Sequence, residues 1–234
     1  MSFGTSGWLF QSNKLMYDRG TNTLWHQFLG EPVVGELVGS GIKLEILPST
    51  LTTWSNWLAA HPDTTVLDVE TGVYPIQACL PEKDPGSSYS TYRGSAITMF
   101  PVPERSDALP TKSRVYGLTF NGQARTYPQE TLNQTPVIND SLGGGNLLLV
   151  TPQGGGTRSY QRDDRNFLTV EKGESGSSEL ILIDDEGLRW RMCEDALVSI
   201  SDPTMRLLRL PGRSSFWFGW YAFYPATEVY ATSS

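Results

Sequence analysis

The sequence predicts a mainly β protein with a few short helices, built from two related units that each form a small twisted sheet or partly closed barrel. Three observations carry this prediction: a stretch repeated at constant offset, a series of short apolar runs broken by turn residues, and paired tryptophans bracketed by prolines. "KLEILPSTLTTWSNWLAAHPDTTV" (43–66) aligns without a gap on "RLLRLPGRSSFWFGWYAFYPATEV" (206–229), an offset of 163 positions, 206 minus 43. Leu47/Leu210, Pro48/Pro211, Trp54/Trp217, Trp57/Trp220, Ala59/Ala222, Pro62/Pro225, Thr64/Thr227 and Val66/Val229 are among the identical pairs. Two copies of one unit are the simplest account, and self-similarity on this scale decides the whole fold assignment.

Upstream of the aligned stretch, "MYDRGTNTLW" (16–25) resembles "LIDDEGLRW" (182–190). Each reads as an apolar strand end, an acidic turn and a tryptophan. Strand candidates along the chain are "PVVGELVG", "IKLEIL", "TTVLDV", "AITMFPV", "RVYGLTF", "NLLLVT", "NFLTV", "ELILID" and "MRLLRL", separated by Gly, Asn, Asp and Pro signals. "LTFNGQART" (118–126) predicts a hairpin, because Asn121-Gly122 suits the positive φ angles of a type I′ turn. Trp54 and Trp57, like Trp217 and Trp220, are three apart and share one helix face. Pro48 or Pro211 precedes that helix and Pro62 or Pro225 stops it.

Residues 77–110 are rich in Pro, Ser and Gly and read as a connection, leaving 1–76 as the first unit and 111–234 as the second. The second copy opens near Arg114, well before "NFLTV". If "SFGTSGWL" at the front corresponds to "NFLTVEKG", the strands equivalent to 114–162 are missing and the first unit is incomplete. "FWFGWYAFYP" (216–225) concentrates aromatic residues, and recurrence of its tryptophan pair favours a structural wedge over a ligand platform. Phe216, Phe218 and Tyr221, found in the second copy alone, are expected to cover the body of the protein or a partner surface.

A net charge of -7 gives no reason to approach phosphate backbones or anionic lipid, so nucleic acid is not an expected partner. No stretch has the roughly 18 to 20 apolar residues needed to span a bilayer, and the start lacks the basic and apolar regions of a signal peptide. Cys79 and Cys193 are far apart with no second cysteine near either, which reads as two free thiols or, in an oxidising compartment, a disulfide.

Motifs for common chemistries are sparse. His26 and His61 are the only histidines, which excludes a zinc site of several histidines and reads as two surface residues. "LGGGN" (142–146) and "QGGGT" (153–157) lack the Lys-Ser/Thr of a phosphate loop and read as hairpin turns. "IDDEGLRW" (183–190) lacks calcium-loop spacing and reads as a solvated turn. Asn133 and Asn139 begin glycosylation patterns that matter only in a eukaryotic secretory route.

Three longer stretches carry a resemblance. "FGTSGWLFQSNKLMYDRGTNTLWHQFLGEPVVGEL" with "LEILPSTLTTWSNWLAAHPDTTVL", then "GLTFNGQARTYPQETLNQTPVINDSLGG", then "RSSFWFGWYAFYPATEVY" resemble, in order, the signatures of a bacterial and archaeal family known as domain of unknown function 3179. The resemblance brings no established activity. It implies that Met16, Asp18, Arg19, Trp25, Gln27 and Glu31, which match the central signature, are the candidate binding residues. One reading makes them a site floor, with Asp18 or Glu31 as carboxylate, Gln27 as donor and Met16 as thioether ligand. The other makes Asp18 and Arg19 a turn and ion pair, Trp25 core, and Gln27 and Glu31 a strand-end cap.

Complete relatives carry a further N-terminal "NGEARAYP" block and a Tyr-Cys-Pro-Leu-Cys motif, so this chain is expected to be a truncated form. The resemblance also implies export of complete relatives. No cofactor is evident here; a soft metal belongs with the cysteine motif of a complete version. The leading expectation is a non-catalytic or cryptic binding protein. A metal-binding, redox or enzymatic role that needs the absent cysteine segment is the alternative, and a scaffold holding a protein partner or a second copy by its aromatics is the third.

Overall fold

The computed structural model describes residues 2–68, 70, 72–154, 156–173 and 179–231. Strands dominate, as the pattern of short apolar runs requires. The first sheet joins β1 (Phe3–Phe10), β2 (Asn13–Asp18), β3 (Thr23–His26) and β4 (Pro32–Val34) in sequence order, all antiparallel. Helix α1 (Trp54–Ala60) follows, its start capped by the Thr53 hydroxyl, which accepts from the Asn56 N–H at 3.3 Å. The connecting segment holds only a 3-10 turn (Ile76–Cys79) and the short α2 (Ser90–Gly94).

A tight hairpin of β5 (Arg114–Phe120) and β6 (Gln123–Pro128) opens the second unit. Its Asn121 and Gly122 both take positive φ, 47° and 79°, as the type I′ turn demands. After α3 (Gln129–Gln134) come β7 (Val137–Leu142), β8 (Gly145–Val150), β9 (Arg158–Gln161), β10 (Phe167–Lys172), β11 (Leu180–Asp184), β12 (Arg189–Met192), β13 (Ala196–Ser199) and β14 (Arg206–Leu210). These eight form one sheet in the order β10-β11-β12-β13-β14-β9-β8-β7.

The sheet curls until its two outer strands meet, and one side chain spans the remaining gap. Asn139 on β7 donates its Nδ2 to the Phe167 carbonyl of β10 at 2.8 Å and accepts the Phe167 N–H at 2.9 Å. A single amide thus replaces a rung of backbone ladder and makes a nearly closed barrel. Finally β15 (Arg213–Phe216), α4 (Trp217–Tyr221) and β16 (Glu228–Val229) return to the hairpin, giving a third sheet β15-β5-β6-β16.

β8 is buried on both faces. Leu148 and Val150 join Tyr160, Phe167, Leu182, Trp190 and Leu197 in the barrel interior, while Leu147 and Leu149 pack outward against Tyr116, Leu118 and Tyr127 of the hairpin. That two-sided burial explains the unbroken apolar run "LLLV". A third cluster of Val115, Trp217 and Trp220 takes in Phe28 of the first unit.

The duplication is visible in individual contacts. Phe3 faces Asp18 across β1–β2 as Phe167 faces Asp184 across β10–β11. The Phe3 and Trp25 rings meet edge-on at 6.2 Å, and those of Phe167 and Trp190 at 5.9 Å. Both Trp57 and Trp220 donate their Nε1 to the threonine seven residues on, Thr64 and Thr227, each at 3.0 Å. Trp57 packs on His61 at 4.1 Å where Trp220 packs on Tyr224 at 4.3 Å.

The copies part where a strand partner is wanting. β15 and β16 are strands because β5 and β6 lie between them, whereas their equivalents at 50–53 and 65–66 are irregular. Among the described residues no hairpin of the first unit corresponds to β5–β6. The expected strands "IKLEIL", "TTVLDV" as far as Asp68, and "AITMFPV" are therefore corrected to irregular chain, Val69 lying outside the described residues, and "PVVGELVG" is a strand only to Val34. Without a neighbour to accept and donate backbone hydrogen bonds, apolar β-prone sequence does not form a ladder. The same want leaves Trp54 48% exposed where Trp217 is 1% exposed.

Candidate functional site

The six residues of the central signature do not converge on one pocket. Met16 lies on β2 opposite Trp25 on β3, and Trp25 is fully buried. Asp18 is also fully buried and closes its own turn, accepting from the Gly20 N–H at 3.0 Å and the Thr21 hydroxyl at 2.8 Å. These hydrogen bonds hold its carboxyl below the usual range. Arg19 is exposed and donates to the Phe3 carbonyl at 3.2 Å. Gln27 is exposed, with its backbone carbonyl accepting from Arg213 at 3.2 Å, and Glu31 pairs with Lys43.

Between Gln27 and Trp25 stands a residue expected at the surface. His26 is instead fully buried, held among Phe10, Phe28 and Phe223, with the Phe223 ring centroid 4.2 Å away. Its Nδ1 accepts the N–H groups of Phe28 and Leu29 at 3.0 and 3.1 Å, which places the proton on Nε2. Phe223 also stacks on Phe28 at 5.0 Å, so part of the 216–225 aromatic run locks the first unit to the second.

Burial, reinforced by the nearby charge of Arg213, lowers the His26 pKa from 6.5 to about 4. The unfolded chain binds this proton more readily, so the stability that neutral His26 supplies is complete above pH 6.5 and is lost as pH falls toward 4. A loss of about 1 kcal/mol is expected between pH 6.5 and 4.5, after discounting for screening. His26→Asn keeps an acceptor for the two N–H groups and removes the titration, so its urea midpoint should be flatter over that window. A wild-type midpoint independent of pH there would refute the assignment.

Two other aromatics of the run, Phe216 and Phe218, help shape a cavity. About 550 Å³ of open space is walled by Phe216, Phe218, Tyr89, Tyr92, Met99 and Phe100, with Leu51 and Ser12 at its first-unit side. The Phe216 and Phe218 rings are stacked at 6.1 Å and 17°. Glu82 lies between two guanidinium groups, those of Arg114 and Arg93, the latter at 3.6 Å. Arg93 is committed to its own loop, donating to the Ser88 carbonyl at 2.9 Å and the Ser87 hydroxyl at 2.6 Å. Arg114 also sits 5.7 Å over the Phe216 ring. Ser12, Gln129 and Ser214 add polar groups to the wall, whereas the Ser215 Oγ is shut off from solvent and has no hydrogen-bond partner among the described residues. Tyr221, grouped with Phe216 and Phe218 in the sequence, lies elsewhere, against Trp217 at 5.2 Å.

Another convergence joins the "ARTYP" and "VIND" motifs. Asp140 accepts from Arg125 at 2.6 Å and from the Tyr127 hydroxyl at 2.7 Å, and Arg125 reaches on to Glu228. This network fastens the hairpin and β16 to the barrel wall, beside the Asn139 seam.

The family profile described as "Protein of unknown function (DUF3179)" matches residues 1–227. The chain belongs to the DUF3179 family. No curated protein and no solved structure matches it. In this DUF3179 chain the motif residues Arg125, Tyr127, Asn139 and Asp140 are engaged in holding the fold. Of the wall of the cavity, the sequence signalled Phe216 and Phe218; Tyr89, Tyr92, Met99 and Phe100 sit in the Pro/Ser/Gly-rich connection, where only their apolar character marks them. Cys79 is exposed and Cys193 half-buried, both as free thiols. Among the described residues no three His, Cys, Asp or Glu side chains gather where they could hold a metal ion, and no helix is long and apolar enough to cross a membrane.

Proposed function

We propose that this DUF3179 chain is a non-catalytic binding protein whose ligand occupies the cavity between the connecting segment and β15. The single observation that carries this reading is the stacked Phe216 and Phe218 pair, an aromatic face lining a cavity whose polar lining includes Arg114, Gln129 and Ser214. A cavity of this size, with an aromatic face, a few polar side chains and a shared arginine, fits a small molecule with a flat apolar body and one polar edge. Stacked Phe216 and Phe218 supply the face for that body, and Arg114 sits where an anionic edge could compete with Glu82.

The dye 8-anilinonaphthalene-1-sulfonate has these features and serves as probe. Saturable binding at one site is expected, weakened about tenfold by Phe218→Ser, since burying one aromatic face contributes roughly 1 to 2 kcal/mol. Equal affinity in a folded Phe218→Ser variant would overturn the reading.

A further inference from the structure

One end of the barrel carries charge that the described side chains leave uncompensated. Arg158 and Tyr160 on β9 and Arg209 on β14 share the inner face of the barrel: Arg158 stands opposite Val150, Arg209 opposite Tyr160, and Val150 and Tyr160 belong to the interior cluster. Tyr160 is fully buried, and each arginine is only 9% exposed. Among the described residues, the one carboxylate touching both arginines is Glu194, in the turn between β12 and β13. Its Oε1 accepts from Arg158 Nη2 at 3.2 Å and its Oε2 from Arg209 Nη1 at 3.3 Å. Two guanidinium groups against one carboxylate leave a single positive charge in excess.

Hydrogen bonding is incomplete at the same place. Arg158 Nε, Arg209 Nε and the Tyr160 hydroxyl are buried and have no partner among the described residues. Burial keeps the Tyr160 phenol protonated, against the opposing influence of Arg158 and Arg209, so it remains a donor. Three donors on one barrel face, next to an unneutralised cation, make a set that water can satisfy only in part, because water brings no charge.

Residues 49–61 cover this end. Arg209 donates Nη2 to the Ser49 carbonyl at 3.1 Å and to the Thr50 hydroxyl, while His61 Nε2 lies 3.3 Å from Glu194 Oε1. The Thr53 hydroxyl and Asn56 side chain both donate to the Gly154 carbonyl. The backbone fit is close, since a Cβ on Gly156 would come within 2.3 Å of the Leu51 carbonyl.

We infer that the barrel end beneath residues 49–61 binds a small oxyanion, a carboxylate or a phosphate, on Arg158 Nε, Arg209 Nε and the Tyr160 hydroxyl. The charge-assisted donors supply affinity, and the enclosing segment restricts the site to a small anion or to the terminal anionic group of a thin molecule.

The test is urea unfolding of the full chain, equilibrated from the unfolded side so that the anion can enter. Sodium acetate and inorganic phosphate are titrated separately against sodium chloride at matched ionic strength. A saturable rise in midpoint over chloride is expected with at least one of them. Acetate alone would identify a carboxylate site, phosphate alone a phosphate site, and both a site for either. Tyr160→Phe preserves ring packing and should weaken the apparent affinity about tenfold, the usual effect of one hydrogen bond to a charged group. No saturable rise with either anion, or a rise of equal affinity in Tyr160→Phe, would overturn the inference and leave the donors to water.

Discussion

Trp220→Ala is expected to destabilise the protein by about 3 to 5 kcal/mol, while Trp57→Ala, at the repeat-equivalent position, costs only about 1 kcal/mol. Both tryptophans make the same hydrogen bond to a threonine and the same ring contact one turn on. Their surroundings differ. Trp220 is 1% exposed and lies flat against β5, where a Cβ on Gly117 would come within 2.3 Å of its ring. No residue of α1 is buried, so Trp57 forfeits far less packing. Urea midpoints of the two variants, converted with a common slope, measure the difference. Equal losses would show that the local helix motif, rather than the hairpin beneath it, sets the contribution of the tryptophan.

Asn139→Ala should cost about 2 to 4 kcal/mol, more than most polar substitutions. The reason lies in what is left behind. Both the N–H and the carbonyl of Phe167 lose their partner, at the one junction of the barrel that has no backbone ladder to compensate. Phe167 packs in the interior against Trp190, so opening the seam exposes the core edge as well. Amide hydrogen exchange at Phe167 reports this directly and should speed up ahead of the amides of β12 and β13. Unchanged protection at Phe167 would mean that the outer strands are held by side-chain packing alone.

Much of the architecture was legible in the sequence because it is local. Asn121-Gly122 specifies its own turn, Pro48 and Pro62 bracket α1, and the 163-residue offset links two segments that do form equivalent contacts. Errors cluster where a strand depends on a distant partner. Residues 42–47 and 64–69 have the composition of strands and no neighbour to pair with; Val69 itself lies outside the described residues. Composition records a preference for extended backbone, while the ladder is a property of two segments at once.

The sites show the same division. His26 reads as a surface residue when only its neighbours in sequence are considered, and is buried because Phe223, nearly two hundred positions later, closes over it. The 77–110 connection looks like a spacer, yet contributes Tyr89, Tyr92, Met99 and Phe100 to the cavity wall, since isolated apolar residues in a loop show no period from which a buried face could be read. Arg158, Tyr160 and Arg209 belong to strands whose alternation marks them as inward-facing only once the strand register is known.

The strand order also has a kinetic meaning. β10 to β14 form a run of consecutive hairpins and β7 to β9 another, so each half can assemble from neighbours along the chain. Their junction is different: Ser159 on β9 and Leu210 on β14, which share a hydrogen bond, are 51 residues apart. The entropy of closing that loop is lost before its contacts are gained, which makes the joining of two preformed meanders the natural slow step of folding. Until that step the inward faces of both halves, with Trp190 on one and Tyr160 on the other, stand open to water together. The interval before closure is thus when the chain is most exposed to association with other molecules.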